Sequence, residues 1–467
     1  MKTTRILWTT TFLMLILAGF PACAKGSNKS SDSTSGSRPE RPSGERPEGT
    51  PPGGFGGGTP PGGGSNADID YAGATEITSA ASQSGKTYAS TTTDESALLI
   101  STGDAVTITN PTVTKSGSSN GGDSCNFYGL NAAVLVKDGS TTTITGGTIT
   151  SDASGANGVF SYGGNGGKNG AAGDGTKVII RDTTITTTGS GSGGIMTTGG
   201  GITEAYNLTV TTSGQSSAAI RTDRGGGTVT VDGGTYTSNG LGSPAIYSTA
   251  DITVSNATLV SNLSEGVCIE GKNTITLNNC TLSANNTKRN GNAKFVDTIM
   301  IYQSMSGDAD SGTSSFTMNG GTLISKNGHV FHVTNTNAII NLNGTGIVNE
   351  DDDNVLLSVC ADGWSGAKNI ATVNASAQVL KGNILVGSDS TLTLNLTNGS
   401  DFTGCVSGNI VNAAGDVVSE QTGTVTVTLD ATSTWTLTAD TYITSFEGNA
   451  SSVNKNGYTL YVNGTAL

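Results

Sequence analysis

Short apolar runs alternate with threonine and asparagine along most of this chain. The phrases VTITNPTVT from Val106, TTITGGTIT from Thr142 and ITLNNCTLS from Ile275 each hold two alternating stretches around a turn. Alternation of period two is typical of a β-strand with one buried face and differs from the period of a helix. Each phrase therefore predicts two short strands joined by a tight turn.

A third apolar stretch precedes each phrase, as in AAIRT, PAIYS, VCIEG and IMIYQ. The spacing is close to two dozen residues: 26 residues separate Ile220 from Ile246, and Tyr236, Leu259 and Leu282 follow one another at intervals of 23. So short a unit cannot bury a hydrophobic face alone, whereas stacked units share a continuous core. The sequence predicts an all-β solenoid of about a dozen coils with three strands each.

Two other folds fit the pattern less well. A β-sandwich would consist of antiparallel hairpins without a fixed period. A leucine-rich repeat would carry a Leu-x-x-Leu-x-Leu pattern, which the sequence lacks.

The three-strand phrases of residues 106–347 resemble the right-handed parallel β-helix of the pectate-lyase-like superfamily. That superfamily includes lyases, hydrolases, adhesins and non-catalytic glycan-binding proteins, so the resemblance implies a fold and several possible functions. It implies a parallel β-helix over residues 67–467. The aromatic phrases after Trp435 are predicted to form the last coils and a cap, because terminal repeats are atypical.

Residues 1–23 have the features of an export signal. Lys2 and Arg5 precede an apolar run over residues 6–20, which is short for a membrane span. Cys23 follows Ala22 at the end of this run, and this arrangement resembles the lipobox of bacterial lipoproteins, in which the cysteine is lipidated. Cleavage after Ala24 would instead give a secreted chain. We therefore predict an exported protein that is lipid-anchored at the bacterial cell surface, with secretion as the alternative.

Residues 24–66 are rich in Ser, Pro and Gly and contain almost no apolar side chains. Such a segment cannot offset the entropy cost of ordering, so it is predicted to be a disordered tether. A tether followed by a β-helix is also the plan of adhesin-like, carbohydrate-binding surface lipoproteins, which this chain resembles. The net charge of −13 argues against nucleic-acid binding, which needs concentrated basic residues.

A candidate ligand-binding face follows from the predicted stacking. We expect Ile220, Ile246, Ile269 and Ile301 to form one inward column. The residue directly after each isoleucine then belongs to an outward column, and the residue two positions further along belongs to a second outward column. Tyr faces stack on sugar rings, while Arg and carboxylate groups bind hydroxyl or uronate groups. The predicted face consists of Arg221, Asp223, Arg224, Tyr247, Glu270, Lys272 and Tyr302. Alternatively, Arg221, Glu270 and Lys272 form a salt-bridge ladder on a solvated flank.

The predicted function is non-catalytic binding of glycan, or adhesion, at the cell surface. The partner would be an extracellular or cell-wall polysaccharide, or a host or neighbouring surface. An anchored polysaccharide lyase or hydrolase is one alternative, although Asp223 and Glu270 would lie about two coils apart and no compact carboxylate cluster is evident. A structural surface protein is the other.

No cofactor or metal site is predicted. Asp308, Asp310 and the acidic run 350–353 lack the spacing of a calcium loop, so calcium has no motif in its support. His329 and His332 are predicted to be structural. Five cysteines match no zinc signature: Cys125, Cys268, Cys280, Cys360 and Cys405. We expect them to be unpaired fillers of the core, with a disulfide in the exported chain as the alternative.

Overall fold

The computed structural model describes residues 69–166, 172–289, 291–304, 306–364 and 369–467. The predicted signal peptide, Cys23 and the predicted tether lie outside the described residues. Among the described residues, no helix is both long and apolar enough to cross a membrane.

A sheet of 13 strands, here called sheet 1, contains the third strand of each coil. Each strand pairs in parallel with the equivalent strand of the next coil. Its strands are Glu76–Ile77, Leu98–Ser101, Val134–Lys137, Val159–Tyr162, Ile195–Thr198, Ile220–Thr222, Ile246–Ser248, Val267–Glu270, Asp297–Tyr302, His329–Thr334, Val355–Val359, Asn383–Val386 and Val406–Ser407.

A sheet of 22 strands, here called sheet 2, contains the two strands of each phrase. The two ladders merge because two long strands, Gly201–Thr212 and Gly227–Ser238, run through both. The other strands of sheet 2 are Ala81–Ser84, Thr87–Ser90, Ala105–Thr109, Thr112–Lys115, Thr141–Thr145, Thr148–Ser151, Lys177–Arg181, Thr184–Thr187, Asp251–Ser255, Thr258–Ser261, Thr274–Asn278, Thr281–Ala284, Thr313–Asn319, Thr322–Ser325, Thr336–Asn343, Gly346–Asn349, Asn369–Ser376, Ser390–Thr397, Thr424–Leu429 and Ser445–Glu447.

Smaller elements complete the described chain. A four-stranded parallel sheet near the C-terminus contains Val379–Lys381, Asp401–Thr403, Thr434–Thr436 and Val453–Asn454. Asn409–Val411 pairs antiparallel with Val417–Glu420. Leu460–Val462 pairs in parallel with Thr441–Ile443 and antiparallel with Thr465–Ala466. Ala72–Gly73 pairs in parallel with Glu95–Ser96. The helices are the short α-helix Asp123–Tyr128 and the 3-10 turn Ala450–Ser452.

The bend within each phrase depends on residues that accept a left-handed backbone. Asn256, Asn279 and Gly320 occupy equivalent bends with φ of 56°, 52° and 61°. Asn and Gly adopt this conformation more readily than other residues. The main-chain N–H of each donates to a carbonyl of the next coil, as Asn256 does to Asn278 at 2.9 Å. The bend thus turns the chain without breaking the ladder.

The core is one continuous column of aliphatic side chains enclosed by the coils. Tyr236, Leu259 and Leu282 lie in register in sheet 2, as their equal spacing predicts. They are completely buried with the inward residues of sheet 1, such as Ile220 and Ile246. Parallel pairing in register around a single core confirms the predicted all-β parallel β-helix.

The outer face of sheet 1 is covered by segments that connect the strands. Phe127 and Tyr128 of the α-helix pack on the outward side chains Leu135 and Met196. Further along, Ala293 and Trp364 cover Tyr247, Met300 and Tyr302, and Phe295 packs with Cys360 and Ile410. Sheet 1 therefore has a buried layer on both faces, and the candidate site lies within the outer one.

Candidate functional site

The predicted outward column was wrong in register from Glu270 onwards. Ile220 pairs with Ile246, but Ile246 pairs with Val267, which lies 21 residues further on, rather than with Ile269. The outward column that begins with Arg221 and Tyr247 consequently continues with Cys268 and Met300. Glu270 pairs with Tyr302 in the column two residues further on. Val267 and Ile269 are both inward aliphatic residues, so the sequence pattern fits either register.

The predicted exposure of this face was also wrong. The side chains point away from the core, but the covering segments remove most of them from solvent. The buried members, with their exposed fractions, are Arg221 (6%), Asp223 (3%), Tyr247 (4%), Glu270 (1%) and Tyr302 (3%). This group, here called the outer polar cluster, is a buried network rather than an open ligand face.

Arg221 forms a buried ion pair with Asp223, in which Nη2 and Oδ2 are 2.7 Å apart. The Arg221 Nη1 also donates to Asn126 Oδ1 at 3.3 Å and to the Ser216 carbonyl at 3.2 Å. Burial raises the pKa of Asp223 to about 7, Arg221 opposes this shift, and nearby Asp308 adds to it. The sequence predicted Arg221 and Asp223 in neighbouring outward columns, and the structure brings them into direct contact.

Arg224 lies at the edge of the cluster and binds a residue that was not predicted to belong to the ligand-binding face. Its Nη2 is 2.7 Å from Asp308 Oδ1, and its guanidinium lies 4.3 Å from the centre of the Phe127 ring. Phe127 belongs to the α-helix and Asp308 to a connection after sheet 1. No local pattern links these three positions, so only the fold reveals the contact.

Glu270 is held by hydroxyl groups and not by a cation. Tyr247 and Tyr302 donate their phenol groups to Oε2 at 2.5 and 3.0 Å, and Ser304 and Ser306 donate to Oε1. Burial raises the pKa of Glu270, and the Ser304 and Tyr247 hydrogen bonds oppose that increase. The carboxyl group fixes two aromatic rings and a loop in one arrangement.

Lys272 does not belong to the cluster. It forms a half-exposed ion pair with Asp310, in which Nζ is 3.0 Å from Oδ2. The alternative of a ladder through Arg221, Glu270 and Lys272 is therefore wrong, because each of these side chains has a different partner.

A cleft of about 330 Å³ opens beside the outer polar cluster. Stacked turns of successive coils form one wall, and the segment around the α-helix forms the other. Two of the groups that hold Arg221, Asn126 and Ser216, line it. We call this the turn cleft; its described lining residues are Ser119, Asn120, Gly122, Cys125, Asn126, Ser154, Gly155, Ser190, Gly191, Gln215 and Ser216.

Sequence analysis also missed a buried network around His332. Its Nδ1 lies 2.7 Å from Ser358 Oγ, and its Nε2 lies 3.1 Å from Asp362 Oδ2. His329 Nδ1 contacts the same Ser358 hydroxyl at 2.7 Å, and burial lowers the pKa of His329 to about 3. Both histidines pack on Phe295, in agreement with the predicted structural role. The parallel pairing of His332 with Ser358 could be found only once the register was known.

The described residues contain no group of three or more His, Cys, Asp or Glu side chains placed to hold a metal ion. The five described cysteines are buried and unpaired, as predicted. Cys268 faces outwards among Tyr247 and Met300, whereas Cys280 packs in the main core. Comparisons with protein families, with curated proteins and with solved structures found no match.

Proposed function

We propose that this protein is a non-catalytic, exported β-helix that binds glycan in the turn cleft and is anchored through Cys23. The resemblance to pectate-lyase-like β-helices and to carbohydrate-binding surface lipoproteins is part of this proposal. The observation that carries it is the turn cleft itself. Its described lining is rich in hydroxyl, amide and main-chain groups and includes no charged side chain.

A lining of this kind suits a neutral, hydroxyl-rich polymer. Ser154, Ser190 and Gln215 come from turns of successive coils, whose main chains are linked by hydrogen bonds such as Gly155 N to Ser190 O at 2.9 Å. Successive coils repeat these polar groups roughly every 4.8 Å. A linear polysaccharide also repeats its hydroxyl groups along its length, so several units could bind in sequence.

The outer polar cluster supports this site by linking its two walls. Arg221 holds Asn126 from the helical side and the Ser216 carbonyl from the coil side. A lining held in place by buried neighbours loses less conformational freedom when a ligand binds. In this proposal Arg221 and Asp223 position the site rather than contact the glycan.

The test is a steric block of the turn cleft. Ser190 is an exposed turn residue in the lining, so Ser190→Trp should fill the cleft without disturbing the core. We expect retention on insoluble polysaccharide and glycan-array signal to fall by at least about tenfold, which corresponds to about 1.4 kcal/mol.

Thr235→Trp is the matched control, because Thr235 is exposed on sheet 2 and does not line the cleft. This variant should bind as the parent chain does. Equal glycan retention by the parent chain and Ser190→Trp would remove the turn cleft from the proposal.

A polysaccharide lyase is the second candidate, and one observation favours it. Burial raises the pKa of Asp223 to about 7, a value suited to a general base, and Arg221 and Arg224 lie beside it. The 3% exposure of Asp223 counts against direct contact with a polymer. Formation of ultraviolet-absorbing unsaturated products, abolished by Asp223→Asn, would support lyase activity over binding alone.

The proposed lipid anchor is tested separately. We expect Cys23→Ser to move the protein from the detergent-soluble membrane fraction to the aqueous fraction, because a lipidated cysteine supplies the anchor. An unchanged distribution would favour the secreted form.

A further inference from the structure

Two buried carboxyl groups lie on adjacent coils outside the outer polar cluster. Glu265 lies two residues before Val267, the first residue of the strand Val267–Glu270, and Asp297 begins the strand that pairs with it. Val267 pairs with Ile299, so Glu265 and Asp297 occupy equivalent positions two residues earlier. Their exposed fractions are 4% and 1%. The fold thus brings two carboxyl groups together where water is excluded.

No basic side chain neutralises this pair within the described chain. The ion pairs of the described residues involve other carboxylates, including Asp362, which is paired with His332. Glu265 and, more weakly, Asp362 lie within electrostatic reach of Asp297, so the negative charges of this region add to one another. Glu265 accepts a hydrogen bond from the Ser264 hydroxyl, but neither carboxylate has a cationic partner among the described residues. Two buried carboxylates without a cation cost several kcal/mol each in an environment of low dielectric constant, so a positive species must compensate for their charge.

A third oxygen ligand at this place lacks a partner. Asn286 is almost completely buried, and its Nδ2 donates to the Asp297 carbonyl at 3.0 Å. Its side chain also bonds to Glu265, while its Oδ1 and Asp297 Oδ1 have no hydrogen-bond partner. Buried polar atoms are nearly always satisfied. An unsatisfied amide oxygen of Asn286 next to an unsatisfied carboxylate oxygen of Asp297 indicates that a ligand belongs there.

We propose that Glu265, Asp297 and Asn286 bind a divalent cation of the calcium class between two adjacent coils. Carboxylate and amide oxygens are the ligands that this class of hard cation prefers. A softer metal is disfavoured because none of the three proposed ligands is a thiolate or an imidazole. The ion would join two coils at the start of their sheet 1 strands. No sequence motif marks this position, because irregular connections separate the ligands along the chain.

The test is calcium chloride added to the full chain after treatment with a chelator. We expect calcium to raise the melting temperature, and isothermal titration calorimetry to show about one ion per chain. Asp297→Asn keeps the side-chain shape and removes one charge, so calcium affinity should fall at least about tenfold. Glu265→Gln should have the same effect. Asp352→Asn, which alters an exposed aspartate of the run 350–353, is the matched control and should retain the parent affinity.

These measurements distinguish a bound cation from a shared proton. If the parent chain binds no calcium and Asp297→Asn is as stable as the parent or more so, the two carboxyl groups share a proton and the proposal is wrong. If both variants keep the parent affinity, calcium binds elsewhere and the proposal is also wrong. If neither variant folds, the calorimetric titration of the parent chain decides, since the absence of a stoichiometric site there overturns the proposal. None of these results depends on glycan binding.

Discussion

Individual buried charges determine how this protein should respond to pH. Burial raises the pKa of Asp223 from its usual 3.8 to about 7. Its contribution to stability is therefore complete below about pH 4 and is lost as the pH rises through about 7. Burial has the opposite consequence for His329, whose pKa falls from 6.5 to about 3. That contribution is present above about pH 6.5 and is lost as the pH falls towards 3.

The two effects oppose each other between about pH 4 and 6.5, so the informative quantity is the difference between a variant and its parent. We expect Asp223→Asn to have nearly the stability of the parent near pH 4, where the Asp223 carboxyl is protonated, and to lose less stability than the parent as the pH rises to 7. The measurement is the free energy of unfolding in urea across this range. Asp352→Asn should follow the parent curve, and parallel curves for Asp223→Asn would contradict the assignment.

The bend within each phrase is the element that allows the coils to stack. Equivalent bends hold Gly344, Ala377 and Asn398, all with positive φ. Ala377 differs from the other two because the Cβ of alanine clashes with the backbone at a φ of 50°. Gly has no Cβ, and Asn adopts this conformation more readily than alanine. The main-chain N–H of Ala377 nevertheless donates to Thr397 at 3.1 Å, as the ladder requires.

Ala377→Gly should therefore stabilise the protein, by about 0.5 to 1 kcal/mol, because it removes a strained contact at an unchanged backbone conformation. Ala375→Gly, in the preceding strand, should destabilise it by a similar amount because a buried methyl group and backbone stiffness are lost. Thermal or urea unfolding of both variants measures the contrast. A destabilised Ala377→Gly variant would show that the bend is not strained.

Sequence reasoning succeeded where connections have nearly constant length. The bends of sheet 2 are short, so spacing alone aligned Tyr236, Leu259 and Leu282. It failed before the strand Val267–Glu270, where the coil is shorter and two aliphatic residues fit the core equally well. It also could not foresee that Phe127 or Trp364 would cover the outer face, since those contacts join segments that are distant in the chain. The members of the site were mostly identifiable, but their burial and partners were not.

At the scale of the whole molecule, we expect the C-terminal coils to cap the parallel ladder. Trp435 is buried against Phe402 and donates its indole N–H to the Gly404 carbonyl at 3.0 Å, consistent with a final, aromatic part of the core. The last strands include the antiparallel pair Leu460–Val462 and Thr465–Ala466. A reversed strand at this end ends the parallel ladder and protects backbone groups that would otherwise pair with another chain.

Deletion of residues 448–467 should therefore cause self-association. It removes the partners of Thr434–Thr436 and Thr441–Ile443, so two strand edges lose their cover. Size-exclusion chromatography with light scattering should show oligomers or aggregate. Deletion of residues 24–66, the predicted tether, is the control and should leave the oligomeric state unchanged. A monomeric C-terminal truncation would mean that the edges are protected in another way.

Each inner strand of sheet 1 pairs only with the strands of its two neighbouring coils. This arrangement limits how the gene can change in length. Duplication of one complete coil would insert a copy between two existing coils, and the hydrogen bonds above and below it would form as before. A partial duplication would shift every later side chain out of its column. Viable changes in length should therefore occur in whole-coil steps, and each step would lengthen the body without altering the chemistry of coils further along.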